Sequence, residues 1–180
     1  MKRVIFLVCS LFIVGSLADG VLGKCPQIDT VKDFKPEKMA GKWHSIYETG
    51  KESSCVCYEF EPISPNFFLG YFYHLKQTIS LAPKNTEDLN EGFVVSSKFI
   101  PAMDKMSMFT FATDYENYAG MFTCKEVGDV HFPHVAFWSR DHTMTDERML
   151  ELKDMMAKYE GVDLSGLKAV NHSECNHGDK

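Results

Sequence analysis

The sequence predicts an all-β fold, an eight-stranded antiparallel up-and-down barrel followed by one C-terminal α-helix. Short alternating segments separated by turn residues recur through the middle of the chain, the pattern of a barrel or sandwich. Near the C-terminus the spacing of apolar residues changes from two to three or four, the period of a helix. The length of 180 residues allows one domain with a sizeable core and is too short for two typical domains.

Eight segments have the length and alternation of half-buried strands. They are Lys42–Thr49, Cys55–Glu61, Phe67–Leu75, Gln77–Ala82, Gly92–Ile100, Met106–Thr113, Asn117–Lys125 and Phe132–Arg140. Turn residues such as Pro62, Pro65 and Pro83 lie between them. Because the connections are short, neighbouring strands are expected to pair antiparallel. Closure into a barrel would remove the exposed sheet edges and leave room for one small ligand.

The predicted helix follows the last strand. Its apolar residues recur every three to four positions at Met149, Leu152, Met155 or Met156, and Tyr159. Thr143 or Thr145 suits its N-cap, and Gly161 suits its end.

The first 18 residues have the features of a secretory signal peptide. Lys2 and Arg3 precede the nearly continuous apolar run Val4–Val14, which is too short to anchor the chain in a bilayer. Cleavage is expected after Ala18, or as late as residue 23, which leaves 24–180 as a single domain with a short C-terminal tail. We therefore expect a secreted, extracellular protein without membrane insertion.

The charge of the chain argues against a nucleic-acid partner. The formal net charge is −6, and cleavage after Ala18 would make it −8 by removing Lys2 and Arg3. An acidic chain without a basic run is a poor candidate for binding nucleic acids or anionic membranes.

The sequence shows no paired carboxylates for acid–base catalysis and no phosphate-binding glycine loop, so we predict neither catalytic residues nor a required cofactor.

The cysteines indicate disulfides in an exported protein. Cys9 leaves with the leader, and the five that remain allow at most two bridges with one thiol left over. They are Cys25, Cys55, Cys57, Cys124 and Cys175. The residues alone do not choose among the pairings.

The C-terminal residues His172, Cys175 and His177 have a spacing typical of metal ligands. Cys175 is better explained as a disulfide partner, so no metal site is predicted. Asn171-His172-Ser173 is a sequon for N-glycosylation.

Three short motifs follow each other in an order that resembles a known family. They are Gly41-Lys42-Trp43 at the first strand, Thr113-Asp114-Tyr115 after the sixth and Ser139-Arg140 at the end of the eighth. The chain resembles the lipocalins from about Cys25 to Cys175. Thr113–Ala119, with the sequence TDYENYA, is similar to the branch that contains apolipoprotein D and the insect bilin-binding proteins and insecticyanins.

The resemblance implies roles for the motifs and the cysteines. Trp43 would lie inside the closed end of the barrel with Arg140 across its indole face, a cation–π contact worth roughly 0.5–2 kcal/mol. The other motif residues at this structural floor would be Gly41, Thr113, Asp114 and Tyr115. The family pattern implies the bridges Cys25–Cys124 and Cys55–Cys175 and a free thiol at Cys57, with an exchange of Cys55 and Cys57 left open.

Strand parity then suggests which side chains face the cavity. If Trp43 points inward, Ser45 and Tyr47 do so as well, and an inward Arg140 places His134 and Trp138 on its face. The remaining predicted ligand-binding residues are Tyr58, Phe60, Tyr71, Tyr73, Phe93, Phe99, Phe109, Phe111, Tyr118 and Phe122. The alternative is that many of them pack the core or the helix interface, because a bulge shifts the parity of a strand.

The predicted function is the binding of a small hydrophobic molecule by a secreted carrier. A cavity rich in aromatic rings suits a flat, conjugated ligand, and a bilin such as biliverdin is the first candidate. Retinoids, fatty acids, steroids and pheromones remain alternatives, and an oligomer is possible. Two other function classes stay open, which are a thiol-dependent isomerase-type enzyme that uses Cys57 and a protein-binding or inhibitory module. Cys57 could also attach a bilin covalently.

Overall fold

A computed structural model of the chain describes residues 20–64, 67–73, 76–173 and 175. The predicted signal peptide, residues 1–18, lies outside the described residues. The described elements are the strands β1 (Val21–Leu22), β2 (Gly41–Glu48), β3 (Cys57–Ser64), β4 (Phe67–Phe72), β5 (Gln77–Pro83), β6 (Phe93–Ser96), β7 (Met106–Thr113), β8 (Tyr118–Val127) and β9 (Val130–Ser139), the helix α1 (Asp146–Ala157) and the strand β10 (Lys168–Ala169). Short 3-10 helices span Pro36–Met39 and Leu89–Glu91.

The predicted barrel is confirmed. Strands β2 to β9 pair antiparallel in chain order, and β9 pairs with β2 to close the barrel. Two short strands extend this sheet, since β1 pairs with β9 and β10 pairs with β2. Neither was predicted, because two residues are too few to show a periodicity. The segment predicted as Gly92–Ile100 is a strand only over Phe93–Ser96.

Helix α1 packs against the outside of the barrel. Thr145 is its N-cap, and the Oγ1 atom accepts a hydrogen bond from the backbone N–H of Arg148 at 3.3 Å. Leu152 and Met156 are completely buried against the barrel. The described residues therefore form two apolar cores, one inside the barrel and one between its outer wall and α1.

Two disulfides connect the barrel to the ends of the chain. Cys25–Cys124 ties the N-terminal segment to β8, and Cys55–Cys175 ties the loop before β3 to the C-terminal tail. Cys57 takes part in neither of these disulfides and is buried. Cys55 was expected to begin a strand, but it precedes β3 and has a positive φ of 59°.

Candidate functional site

Trp43 and Arg140 close one end of the barrel. The guanidinium carbon of Arg140 lies 3.7 Å from the centroid of the Trp43 ring, and Trp43 is fully buried. The same guanidinium donates hydrogen bonds to the backbone carbonyls of Lys42 at 2.9 Å, and of Lys38 and Tyr115 at 3.2 Å. Burial lowers the pKa of Arg140 from its ordinary value. These contacts join β2, β9 and the loop after β7 into a floor.

The loop after β7 is held by the second motif. Asp114 accepts backbone hydrogen bonds from Glu116, Asn117 and Tyr118 at 2.8–3.1 Å. Partial burial alone would raise the pKa of Asp114, but these hydrogen bonds and one from the Asn117 side chain lower it. Thr113 accepts a hydrogen bond from the Tyr115 backbone N–H at 2.8 Å. The loop therefore presents the Tyr115 carbonyl to the floor.

Gly41 is required where β2 begins beside the floor. Its φ is +88°, a conformation that L side chains rarely adopt. A Cβ atom there would also lie 3.3 Å from a terminal nitrogen of Arg140. The first motif therefore shapes the floor.

Above the floor, the barrel encloses a cavity with two compartments. The floor compartment has a volume of about 40 Å³. Its lining is Phe34, Pro36, Met39, Phe60, Phe68, Leu81, Phe93, Met108, Thr110, Met121 and Trp138. The mouth compartment, which reaches the loops at the other end of the barrel, has a volume of about 330 Å³. Its lining is Glu48, Ser53, Val56, Tyr58, Phe72, Ile79, Val95, Ala102, Met103, Met106, Met108, Met121, Thr123, His134, Ala136 and Trp138.

A stack of aromatic rings lies along one side of the cavity. The Trp138 ring lies 4.8 Å from Tyr58 and 5.6 Å from Phe60, with interplanar angles of 30° and 24°. Tyr58 also stacks on Phe72 at 4.6 Å. Burial raises the pKa of Tyr58 above its ordinary value, so its hydroxyl stays protonated. The parallel rings form a flat wall suited to a planar ligand.

Polar groups gather on another part of the mouth compartment. The Glu48 carboxylate accepts hydrogen bonds from the hydroxyls of Ser53 and Ser45, the latter at 3.1 Å. His134 lies beside them, with its Nδ1 atom 3.4 Å from the Thr49 hydroxyl. Burial lowers the pKa of His134, and the opposing charge of Glu48 only partly offsets this. The imidazole is therefore neutral at pH 7, and Glu48 is the acidic side chain among the described residues that line the cavity.

Five of the predicted ligand-binding residues line the cavity. Tyr58 and His134 line the mouth compartment, Phe60 and Phe93 line the floor compartment, and Trp138 lines both.

Two predicted residues on β2 do not line the cavity, and a bulge displaces one of them, Tyr47. The pairing of β2 with β9 shifts between Ser45 and Tyr47, so inward and outward positions exchange there. Tyr47 consequently packs in the outer core with Phe137, at 6.5 Å between ring centroids. Glu48 takes the inward place, and Ser45, fully buried, reaches the cavity only through its hydrogen bond to Glu48.

Four predicted residues on β7 and β8 belong to the outer core instead. They are Phe109, Phe111, Tyr118 and Phe122. The prediction placed the largest rings inside, but the wall under α1 is apolar as well. The inward positions of these strands carry smaller or aliphatic side chains, such as Met108, Thr110, Met121 and Thr123. A Cβ atom on Gly120 would lie 2.4 Å from the Phe111 ring, so this glycine is what admits the ring to the outer core.

Three further aromatic residues were also wrongly predicted to line the cavity. Tyr71 and Tyr73 contact each other at 4.8 Å on the other face of the sheet from Phe72. The Tyr73 hydroxyl donates a hydrogen bond to Glu59, which raises the pKa of Tyr73 to about 12. Phe99 lies in the loop after β6 and is 74% exposed.

The lining residues that the prediction missed are mainly aliphatic and methionine side chains. Met39, Met103, Met106, Met108 and Met121 all line the cavity. On β8, alternate residues face the cavity. If Met121 and Thr123 had been taken as the inward residues, instead of Tyr118 and Phe122, the cavity-lining positions of this strand would have been predicted correctly.

Cys57 faces away from the cavity. Its neighbour Tyr58 lines the mouth compartment, and adjacent strand residues point to opposite faces. Cys57 is completely buried. A ligand inside the barrel therefore does not reach this thiol.

No protein-family model matches the chain. In structure it is similar to apocrustacyanin C1, with a TM-score of 0.71 and 19% identity over 88% of this chain and 94% of that one. The chain has the lipocalin fold.

The sequence relatives agree with the predicted resemblance, which is confirmed. Apolipoprotein D of Oryctolagus cuniculus is 24% identical to this chain over 168 residues, which cover 86% of this chain and 85% of the relative. Insecticyanin-B of Manduca sexta is 25% identical over 147 residues, 74% of this chain and 71% of the relative. Within the described ranges, no helix is long and apolar enough to cross a membrane.

Proposed function

We propose that this protein is a secreted carrier that binds a small hydrophobic molecule inside its barrel and transports or sequesters it. The observation that carries this proposal is the mouth compartment, with about 330 Å³ of space in a closed barrel. Its walls are mostly apolar, and pockets for small molecules begin at roughly this size. Removal of apolar surface from water would supply most of the binding free energy.

The shape of the cavity favours a flat ligand. The stacked rings of Tyr58, Phe72 and Trp138 offer parallel faces, and Met103 and Met106 can adapt their side chains around a planar molecule. A retinoid, steroid, fatty acid or pheromone is a candidate ligand. A bilin such as biliverdin is also flat and conjugated, but it is bulkier than these molecules.

Export is part of the proposal. It rests on the leader-like sequence of residues 1–18 and on the two disulfides, Cys25–Cys124 and Cys55–Cys175, which persist in oxidising compartments.

Two observations favour binding over the other candidate functions. Complete burial of Cys57 on the face opposite the cavity argues against both thiol chemistry on a cavity ligand and covalent attachment of a bilin. A barrel that only binds other proteins through its loops needs no internal cavity, whereas this barrel has a cavity of about 330 Å³ in its mouth compartment.

The test is a titration of the purified protein with biliverdin, all-trans-retinol and oleic acid, followed by quenching of tryptophan fluorescence and by visible absorption. Ala136→Phe fills the mouth compartment, and we expect it to weaken binding at least tenfold. Ala157→Phe adds the same ring at the exposed end of α1 and should leave affinity unchanged. Met103→Trp, in the loop at the mouth, is a second filling variant should the first fail to fold. Failure of all three ligands to bind, or wild-type affinity in the folded filling variants, would overturn the proposal.

A further inference from the structure

The two tryptophans of this chain differ in one respect that bears on the ligand. The indole Nε1–H of Trp43 donates to the Met39 carbonyl at 2.9 Å. Trp138 is only 3% exposed, yet no acceptor among the described residues lies within hydrogen-bonding distance of its Nε1 atom. An indole nitrogen can only donate, and a buried donor without an acceptor is unfavourable.

The surroundings of Trp138 offer no ready substitute. It lines both compartments, and it shares that position with Met108 and Met121. Among the described residues that line the floor compartment, Thr110 has the one side-chain hydroxyl, and its Oγ1 atom donates to the sulfur of Met121 at 3.5 Å. A water molecule held there would lack the two to four polar side-chain partners that it needs. The polar side chains of the mouth compartment, which are Glu48, Ser53, Tyr58, Thr123 and His134, do not accept from Trp138 either, so a ligand that enters the cavity can bring the acceptor.

The charges of the cavity restrict what that acceptor can be. None of the described residues lining either compartment is a lysine or arginine, and the acidic side chain there is Glu48. A ligand carboxylate placed inside would meet a like charge and no cation, at a large desolvation cost. A neutral carbonyl oxygen accepts the same hydrogen bond without that cost.

We propose that Trp138 is a specificity-determining residue that donates from Nε1 to a neutral carbonyl oxygen of the ligand. The ligand class is a flat, apolar ketone, aldehyde or lactam. The inference rests on the proposed carrier function. Trp138 stacks against the neighbouring rings of Tyr58 and Phe60, and this contact fixes the plane of the indole ring, so its N–H direction is set before a ligand binds.

Two synthetic probes test the inference. One is the aryl ketone 6-propionyl-2-(dimethylamino)naphthalene, and the other is its 6-propyl analogue, in which CH₂ replaces the carbonyl. We expect the wild-type protein to bind the ketone about tenfold more tightly, since one buried hydrogen bond is worth about that factor. In Trp138→Phe, which keeps an aromatic ring and loses the donor, the ratio should fall to one or below, because the ketone then gives up its hydrogen bonds to water without a replacement.

Thr123→Val is the matched control. The Thr123 hydroxyl is also buried in the mouth compartment without a partner among the described residues. Thr123 lies away from Trp138, because it pairs in register with His134, which is four residues from Trp138 along β9. The tenfold ratio should survive this change. The C=O stretch of the bound ketone gives a second readout in the wild-type protein, where it should lie at lower wavenumber than in an apolar solvent.

Each outcome has a defined meaning. Equal affinities for both probes, or an unshifted carbonyl band, would overturn the carbonyl inference and leave the carrier function intact. Loss of the ratio in Thr123→Val but not in Trp138→Phe would also overturn the assignment to Trp138. Failure of both probes to bind the wild-type protein would count against the carrier function itself.

Discussion

Replacement of Arg140 by methionine should destabilise the protein by about 3 kcal/mol. The change removes a guanidinium stacked 3.7 Å from the Trp43 ring, a contact worth about 0.5–2 kcal/mol. It also leaves the carbonyls of Lys38, Lys42 and Tyr115 without this charged donor, and loss of such hydrogen bonds costs about 1–3 kcal/mol when the acceptors are poorly hydrated. Methionine keeps much of the buried volume, so a cavity contributes little.

Arg148→Met is the control for this experiment. The Arg148 guanidinium lies 3.9 Å from the Tyr118 ring and pairs with Glu151, but both partners of this ion pair are partly exposed on α1. Its loss should cost less than about 1 kcal/mol. Urea unfolding at 25 °C, followed by tryptophan fluorescence and circular dichroism, measures both changes. Equal destabilisation by the two variants would refute the view that the backbone carbonyls, and not the ring contact, make Arg140 the closure of the floor.

Two further predictions concern His134 and Asn171. Because burial lowers the pKa of His134 in the folded state, the unfolded chain binds the proton first on acidification. The stability that neutral His134 contributes is present above its unfolded pKa of about 6.5 and is lost as the pH falls below that value. The urea midpoint of the wild type should therefore decline more steeply from pH 7.5 to 5.5 than that of His134→Gln. An identical slope in the two proteins would contradict this. Asn171 is exposed and its Oδ1 accepts hydrogen bonds from Ser173, so expression in eukaryotic cells should give a glycoform that a glycosidase or Asn171→Gln converts to one lower mass. A single mass that neither treatment changes would show the sequon to be unused.

The barrel could be predicted because each part of it leaves a local signal. Alternation over segments such as Met106–Thr113 reports strands, and the spacing of Leu152 and Met156 reports a helix. Short turns between strands then permit little besides antiparallel neighbours. By contrast, β1 and β10 have two residues each and form only because β9 and β2 offer free edges to pair with.

The cavity lining was harder to predict because it depends on which face of each strand is covered from outside. Phe111 and Phe122 looked like ligand contacts, but α1 supplies an apolar partner on the outer wall, and their burial there is equally favourable. A single extra residue between Ser45 and Tyr47 exchanged inward and outward positions and brought Glu48 to the cavity.

By itself, the sequence determined the number and order of barrel strands, the helix after them, and the motifs that hold Trp43 and Arg140 together. These follow from local periodicity and from residues whose chemistry has few alternatives. Only the tertiary structure decided which side chains a ligand meets, because facing depends on register, bulges and the packing of α1, which involve residues far apart in the chain. It also decided that the Trp138 indole nitrogen lacks the partner that Trp43 has, since only the closed barrel shows which acceptors lie within reach.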